Sequence, residues 1–147
     1  MAGVSIKKIM TVKLVTVTLD DKLETVKEIF DSLKFHHLLV VEEHKLLGVV
    51  SDRDLLKALS PNIGSARETY QDIASLNKRV HQIVTRRPIV LQESATVDDA
   101  IQAFNTHGIS CLPVVDLNFR PVGIVTWRDI LKNLRIKPSN PATPANQ

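Results

Sequence analysis

One phrase of this chain occurs twice, and it limits the folds open to the rest. Gly48-Val49-Val50-Ser51-Asp52-Arg53-Asp54 returns as Gly123-Ile124-Val125-Thr126-Trp127-Arg128-Asp129. Each copy reads as an apolar strand ending in a hydroxyl residue, followed by a charged run that opens a helix (Leu55-Leu56-Lys57 and Ile130-Leu131-Lys132). A hydroxyl three residues ahead of a carboxylate gathers free backbone N–H groups and two polar side chains at one strand end. That combination suits a ribose and its phosphate.

The repeat extends well beyond this phrase. A shift of about 75 residues aligns Ile6–Leu59 with Val80–Leu134, with one extra residue in the second hairpin. Ile9/Ile83, Thr11/Thr85, Phe30/Phe104, Leu38/Leu112, Val40/Val114 and Val41/Val115 are identical pairs. Each copy begins with an extended leading segment, Met10 to Leu19 or Val84 to Gln92. An amphipathic helix follows, with Leu23, Val26, Ile29, Phe30 and Leu33 on one face in the first copy and Val97, Ala100, Ile101 and Phe104 in the second. Asp21 with Glu24, and Thr96 with Asp99, are expected to form capping boxes. Two strands come next, Leu38–Val41 and Leu46–Val50, then Leu112–Val115 and Val122–Val125, joined by short hairpins. The order is strand–helix–strand–strand–helix.

A unit of roughly 55 residues buries too little surface to stand comfortably alone. The expected fold is therefore α+β, with two pseudo-symmetric repeats packed sheet to sheet as one intramolecular pair. The divisions are repeat 1 at 1–59, a linker at 60–79, repeat 2 at 80–134 and a tail at 135–147. In the linker, a helix over 66–80 is expected to carry Tyr70, Ile73 and Leu76 on one stripe. The tail, which from Pro138 to Gln147 carries Pro138, Pro141 and Pro144, no charge and no large apolar residue, is expected to be disordered.

Composition narrows the function classes. Aromatics make up only 4% of the chain, so the core must come from Val, Ile and Leu. The net charge of +3 is dispersed, whereas nucleic-acid binders cluster theirs beside stacking aromatics. One cysteine, Cys111, permits no internal disulfide and fits a reducing compartment, here the cytoplasm. No apolar run approaches the ~18 residues of a membrane span, and Met1–Met10 has no signal-peptide core. There is no Walker loop, dinucleotide fingerprint or His-Glu-x-x-His motif, and no carboxylate pair stands out as acid and base, so no enzyme is expected. Neighbouring His36 and His37 would point to opposite faces of a strand, so no metal site is expected either.

With this order in place, the chain resembles a tandem cystathionine-β-synthase (CBS) domain pair, or Bateman module, of the small free-standing bacterial kind. The matching signatures are Met10-Thr11, His37–Glu42 and Gly48–Asp54, then Val84–Pro88, Ser110–Asp116 and Gly123–Asp129. The resemblance implies a regulatory module that binds an adenosine-containing ligand between its repeats and signals by a change of shape to a separate protein partner. It also implies a homodimer of four repeats in a flat disc, formed through apolar helix faces. Leu55, Leu56, Leu59, Ile130, Leu131 and Leu134 are candidates for those faces.

By the same resemblance, one site combines Ile124, Thr126, Arg128 and Asp129 with Thr11, Leu14, Thr16, Phe35 and His36. The other combines Val49, Ser51, Arg53 and Asp54 with Thr85, Pro88, Val90, Ile109 and Ser110. An Asp carboxylate can accept from ribose hydroxyls, Arg offers a fork for phosphate, and the apolar residues flank adenine. Leu14 and Leu39 stand where the family commonly has proline and the second copy keeps Pro88 and Pro113, so the site with Asp54 is expected to dominate. Ser51-x-x-Asp54 and Thr126-x-x-Asp129 also fit plain capping boxes, which leaves a ligand-free dimeric scaffold as the alternative. Lys57 and Lys132 are read as solvated helix faces.

Overall fold

The computed structural model describes residues 3–135; the tail beyond Arg135, expected to be disordered, lies outside them. In chain order the elements are β1 (Thr16–Val17), α1 (Leu23–Ser32), β2 (His37–Glu42), β3 (Lys45–Ser51) and α2 (Asp52–Ala58). The linker contributes α3 (Tyr70–Ala74). The second repeat runs β4 (Thr85–Arg86), β5 (Leu91–Gln92), α4 (Val97–His107), β6 (Cys111–Val115), β7 (Pro121–Thr126) and α5 (Trp127–Asn133). The fold is mixed α+β, as expected.

Each half is built around one hairpin. β2 pairs antiparallel with β3 and β6 with β7, while β1 and β5 add in parallel to β2 and β6. Both hairpins slip register once, at Val40/Val41 and at Val114/Val115. A one-residue slip turns the following side chains to the other face of the sheet. It places Leu46 and Val49 of β3 against the opposite sheet, while Leu47 and Val50 pack under the helices. The two sheets meet through Leu39, Leu46 and Val115, with Leu14, Val49, Val90 and Ile124 around them.

The leading segments cross over. Ile6 and Ile9, at the start of the first repeat, are buried in the helix-side core of the second, among Val97, Leu112 and Val125. Val80, at the start of the second repeat, is buried in the core of the first, among Leu23, Leu38 and Val50. The backbone bonds are reciprocal. Ile6 N–H donates to Ala95 C=O at 2.9 Å and Val97 N–H to Val4 C=O at 2.8 Å; Val80 N–H donates to Asp21 C=O at 2.9 Å and Leu23 N–H to Lys78 C=O at 2.8 Å. Further on, β4 pairs with β3, and Thr11 makes the matching bridge to Ile124.

Local expectations were met unevenly. Thr96 and Asp99 form their capping box, but Asp21 and Glu24 do not. Asp21 accepts instead from Thr18 N–H at 2.7 Å, and α1 begins after Lys22 with no side-chain cap. The crossing Lys78 carbonyl already satisfies the first helical N–H there. The linker helix is shorter than its apolar spacing predicts. A Thr69–Asp72 capping box starts it at Tyr70, and a tight turn over Ser75–Asn77 replaces its continuation. Tyr70 is 93% exposed, so the predicted stripe is not a buried face. The Asp72 carboxylate accepts from the Ser60 hydroxyl at 2.5 Å and pins the linker to the end of α2. Among the helix-end leucines and isoleucines, Leu55 and Ile130 are buried and Leu59 is partly so, but Leu56, Leu131 and Leu134 are 72%, 53% and 47% exposed.

The crossing depends on the two glycines of the repeated phrase. A Cβ on Gly48 would lie 2.5 Å from the carbonyl oxygen of Thr85 and 2.5 Å from Val84 Cγ2; on Gly123 it would lie 2.5 Å from Met10 Sδ. Backbone cannot step aside as a methionine side chain can. Gly48→Ala is therefore expected to cost ~2–3 kcal/mol of stability and Gly123→Ala ~1 kcal/mol. Urea denaturation of both variants checks that order.

Candidate functional site

Crossing over brings each leading segment beside the strand–helix corner of the other repeat. Thr11 N–H donates to Ile124 C=O at 2.8 Å, and Ile124 N–H donates back to Thr11 C=O at 2.9 Å. Thr85 stands opposite Val49 in the same way. Two residues beyond Ile124 and Val49 come Thr126 and Ser51, the caps of α5 and α2. Two clefts result. The first, about 600 Å³, is lined by Thr11, Phe35, His36, Ile124, Thr126, Arg128 and Asp129, with Lys34, Asp52, Trp127 and Lys132. The second, about 610 Å³, is lined by Val49, Asp54, Thr85, Pro88 and Ile109, with Arg87, Ile89, Gly108 and Cys111. His37, Ser51, Arg53, Ser110 and Trp127 border both.

Capping is real at both corners. Ser51 N–H donates to Asp54 Oδ2 at 3.0 Å and Asp54 N–H to Ser51 Oγ at 3.1 Å. Thr126 N–H donates to Asp129 Oδ2 at 2.8 Å, and Asp129 N–H to Thr126 Oγ1 at 3.2 Å. Each box engages one carboxylate oxygen and leaves the other. Asp54 Oδ1 takes no hydrogen bond among the described residues. Asp129 Oδ1 accepts a long one, 3.5 Å, from the Thr11 hydroxyl. A carboxylate held by one oxygen and open at the other can cap a helix and accept from a diol at once.

Three of the sequence-predicted residues line neither cleft. Leu14 and Val90 are packed in the contact between sheets, and Thr16 is an exposed residue of β1 paired with Leu39. Sequence reasoning missed Trp127, Lys34, Asp52 and Arg87. The signal for Trp127 was available, since the chain's one tryptophan sits inside the repeated phrase where the first copy has aspartate. It is 53% exposed and borders both clefts. Lys132 borders the first cleft, whereas its counterpart Lys57 borders neither.

The two histidines do different things. His36 Nδ1 lies 2.8 Å from Asp52 Oδ2 across the corner of α2. His37 Nε2 lies 3.2 Å from Ser110 Oγ and so ties the first repeat to the second. No group of three metal-ligating side chains occurs among the described residues. Burial pushes the Cys111 thiol up to about 12, which makes it a poor nucleophile. Burial also lowers the His37 pKa, with His36 adding to the effect and Asp52 and Asp54 opposing it. A histidine whose folded pKa lies below its ordinary value binds its proton more readily unfolded, so its contribution is intact above about pH 6.5 and is lost as pH falls below that. The melting temperature is expected to drop on acidification from pH 7.5 to 5.5, and by less in His37→Gln.

The CBS domain model matches residues 6–61 and 80–136. A CBS domain-containing protein of Dictyostelium discoideum is 31% identical over 143 residues, which cover 96% of this chain and 97% of that protein. Other curated relatives are longer, and the chain spans as little as 16% of one. Among solved structures, CBSX2 of Arabidopsis thaliana in complex with AMP is 27% identical, with a TM-score of 0.73 over 88% of this chain and 95% of that one. The CBS domain pair of protein MJ0100, in complex with 5′-methylthioadenosine and S-adenosyl-L-methionine, is 29% identical, with a TM-score of 0.71 over 87% and 97%. No helix among the described residues is long and apolar enough to cross a membrane. Doubled strand–helix corners, crossed leading segments and a match over both repeats lead to one conclusion: the chain belongs to the CBS domain family, as a tandem pair.

Proposed function

We propose that this chain is a non-catalytic regulatory module that binds an adenosine-containing nucleotide between its repeats. One observation carries the reading. Each cleft joins a hydroxyl, an arginine and an aspartate from one repeat to the leading segment of the other, in a chain whose structural relatives were solved with AMP and with S-adenosyl-L-methionine. In the cleft with Asp54, the open Oδ1 accepts from the ribose hydroxyls, Arg53 and Ser51 face the phosphate, and Val49, Pro88 and Ile109 flank the adenine. Thr85 and Ser110 close the polar side. In the cleft with Asp129, Arg128 and Thr126 take the corresponding roles. Thr11 and His36 edge that site, and Phe35 and Ile124 supply its apolar walls.

A ligand touching both repeats favours one packing of the pair over others, and a separate protein can read the difference. The buried, unpaired Cys111 fits a reducing compartment such as the cytoplasm. The completed capping boxes are the observation that favours the alternative, a scaffold whose aspartates only hold helices.

A thermal-shift panel of AMP, ADP, ATP, S-adenosyl-L-methionine, NAD and cyclic dinucleotides tests the reading. At a concentration ~100 times Kd, a bound ligand stabilises by ~2.7 kcal/mol, worth about 5–10 °C in a chain of this size. No shift with any of them leaves the scaffold standing. Asp54→Ala is then expected to weaken AMP binding ~10- to 100-fold, more than Asp129→Ala, because Asp54 keeps an open oxygen where Asp129 is already engaged by Thr11. A residue that is only a cap would instead lose ~1 kcal/mol of stability with affinity unchanged. Calorimetric titration beside melting curves separates the two.

The exposed Leu56, Leu131 and Leu134 support a homodimer formed through the outer helix faces. Light scattering at tens of micromolar is expected to give twice 16.4 kDa, and Leu56→Lys with Leu131→Lys to give the monomer.

A further inference from the structure

The two clefts are similar in size but unequal in charge. Arg53 borders both. The first cleft adds Lys34, Arg128 and Lys132, against Asp52 and Asp129; the second adds only Arg87, against Asp54. The inequality comes from the repeat itself. Where the first copy has Lys34, the second has Gly108, which ends α4 in a left-handed turn and brings no charge to its cleft. Lys132 lies one turn beyond Arg128 on α5 and faces the first cleft, whereas Lys57, at the same place on α2, borders neither.

Among the described residues no ion pair engages Lys34, Arg53, Arg128 or Lys132; the salt bridges run Lys7–Glu93, Lys27–Asp31 and His36–Asp52. Asp52, one of the two carboxylates in the first cleft, is thus already partnered by His36 at 2.8 Å. Four cations without ion-pair partners in one cleft favour a ligand of several negative charges, since like charges this close repel until an anion is shared among them. The second cleft, with Ile89, Ile109, Pro88 and Cys111 in its wall, has the more apolar lining in proportion and carries fewer charges.

We infer that the first cleft is the polyphosphate site, taking ADP or ATP, and that the second takes adenosine ligands with one phosphate or none. This rests on the proposed nucleotide binding and assigns the ligand class of each cleft. Arg53 lies in the wall they share, so a long phosphate chain in the first site draws on a cation that the second site also uses.

Calorimetric titration with ATP and AMP tests this in the wild type and in Lys34→Ala/Lys132→Ala. ATP affinity is expected to fall at least fivefold in the double variant, and AMP affinity less than twofold. Asp129→Ala should remove the ATP-binding class and Asp54→Ala the AMP-binding class. If the double variant melts early, Lys34→Gln and Lys132→Gln singly serve the same comparison. Equal losses for ATP and AMP, or none for ATP, overturn the assignment while nucleotide binding stands. A wild type that titrates with neither ligand overturns both.

Discussion

Everything in this molecule depends on the exchange of leading segments between repeats. Ile6 and Val80 are each fully buried, and each is buried in the half to which it does not belong by sequence. Neither hairpin-and-helix unit has a complete core without the other's contribution. The contact between sheets, centred on Leu39, Leu46 and Val115, adds to this union. A pair held only by facing sheets can slide. A pair whose cores are each closed by the other's chain keeps one register, and the clefts keep their shape.

The proposed binding groups lie where the exchange ends. Thr11 and Thr85 run out of the foreign core along the last strand of the opposite hairpin, and that strand turns into a capped helix two residues later. The capping box therefore fixes a corner whose other side is supplied by the partner repeat. Fold and proposed site share one aspartate at each corner, with one carboxylate oxygen for the helix and the other left outside the capping box. This explains why glycine starts the repeated phrase. Any side chain at position 48 would push the crossing backbone off the strand and the leading segment away from the corner.

Much of this was legible in the sequence, because a repeat displays its own grammar. Strands, helices, hairpins and the strand–helix corners could all be placed from paired positions. Residues that act through exchange were harder to place. The resemblance put Leu14 and Val90 in the ligand sites, but both are taken up by the contact between the sheets. Asp21 carries a good capping pattern, yet a carbonyl from a distant segment made the cap unnecessary. In the linker, Tyr70, Ile73 and Leu76 have helical spacing, but a local Thr–Asp box and a following tight turn cut the helix short. Lys34 and Trp127 were passed over because they break the repeat, and comparison of copies rewards agreement.

Exchange also sets a timetable. Leu112, Val125 and Ile130, which bury Ile6, are made a hundred or more residues after it. Until β7 is complete, the leading segment has no place to go, and the second core lacks its lid. Such long separations slow folding, since a large loop must close before the contact repays it. The first half fares better, because Val80 arrives soon after the hairpin that it covers. Assembly during synthesis should thus run from the first half toward the second, with the segment around Ile6 and Ile9 among the last parts to settle.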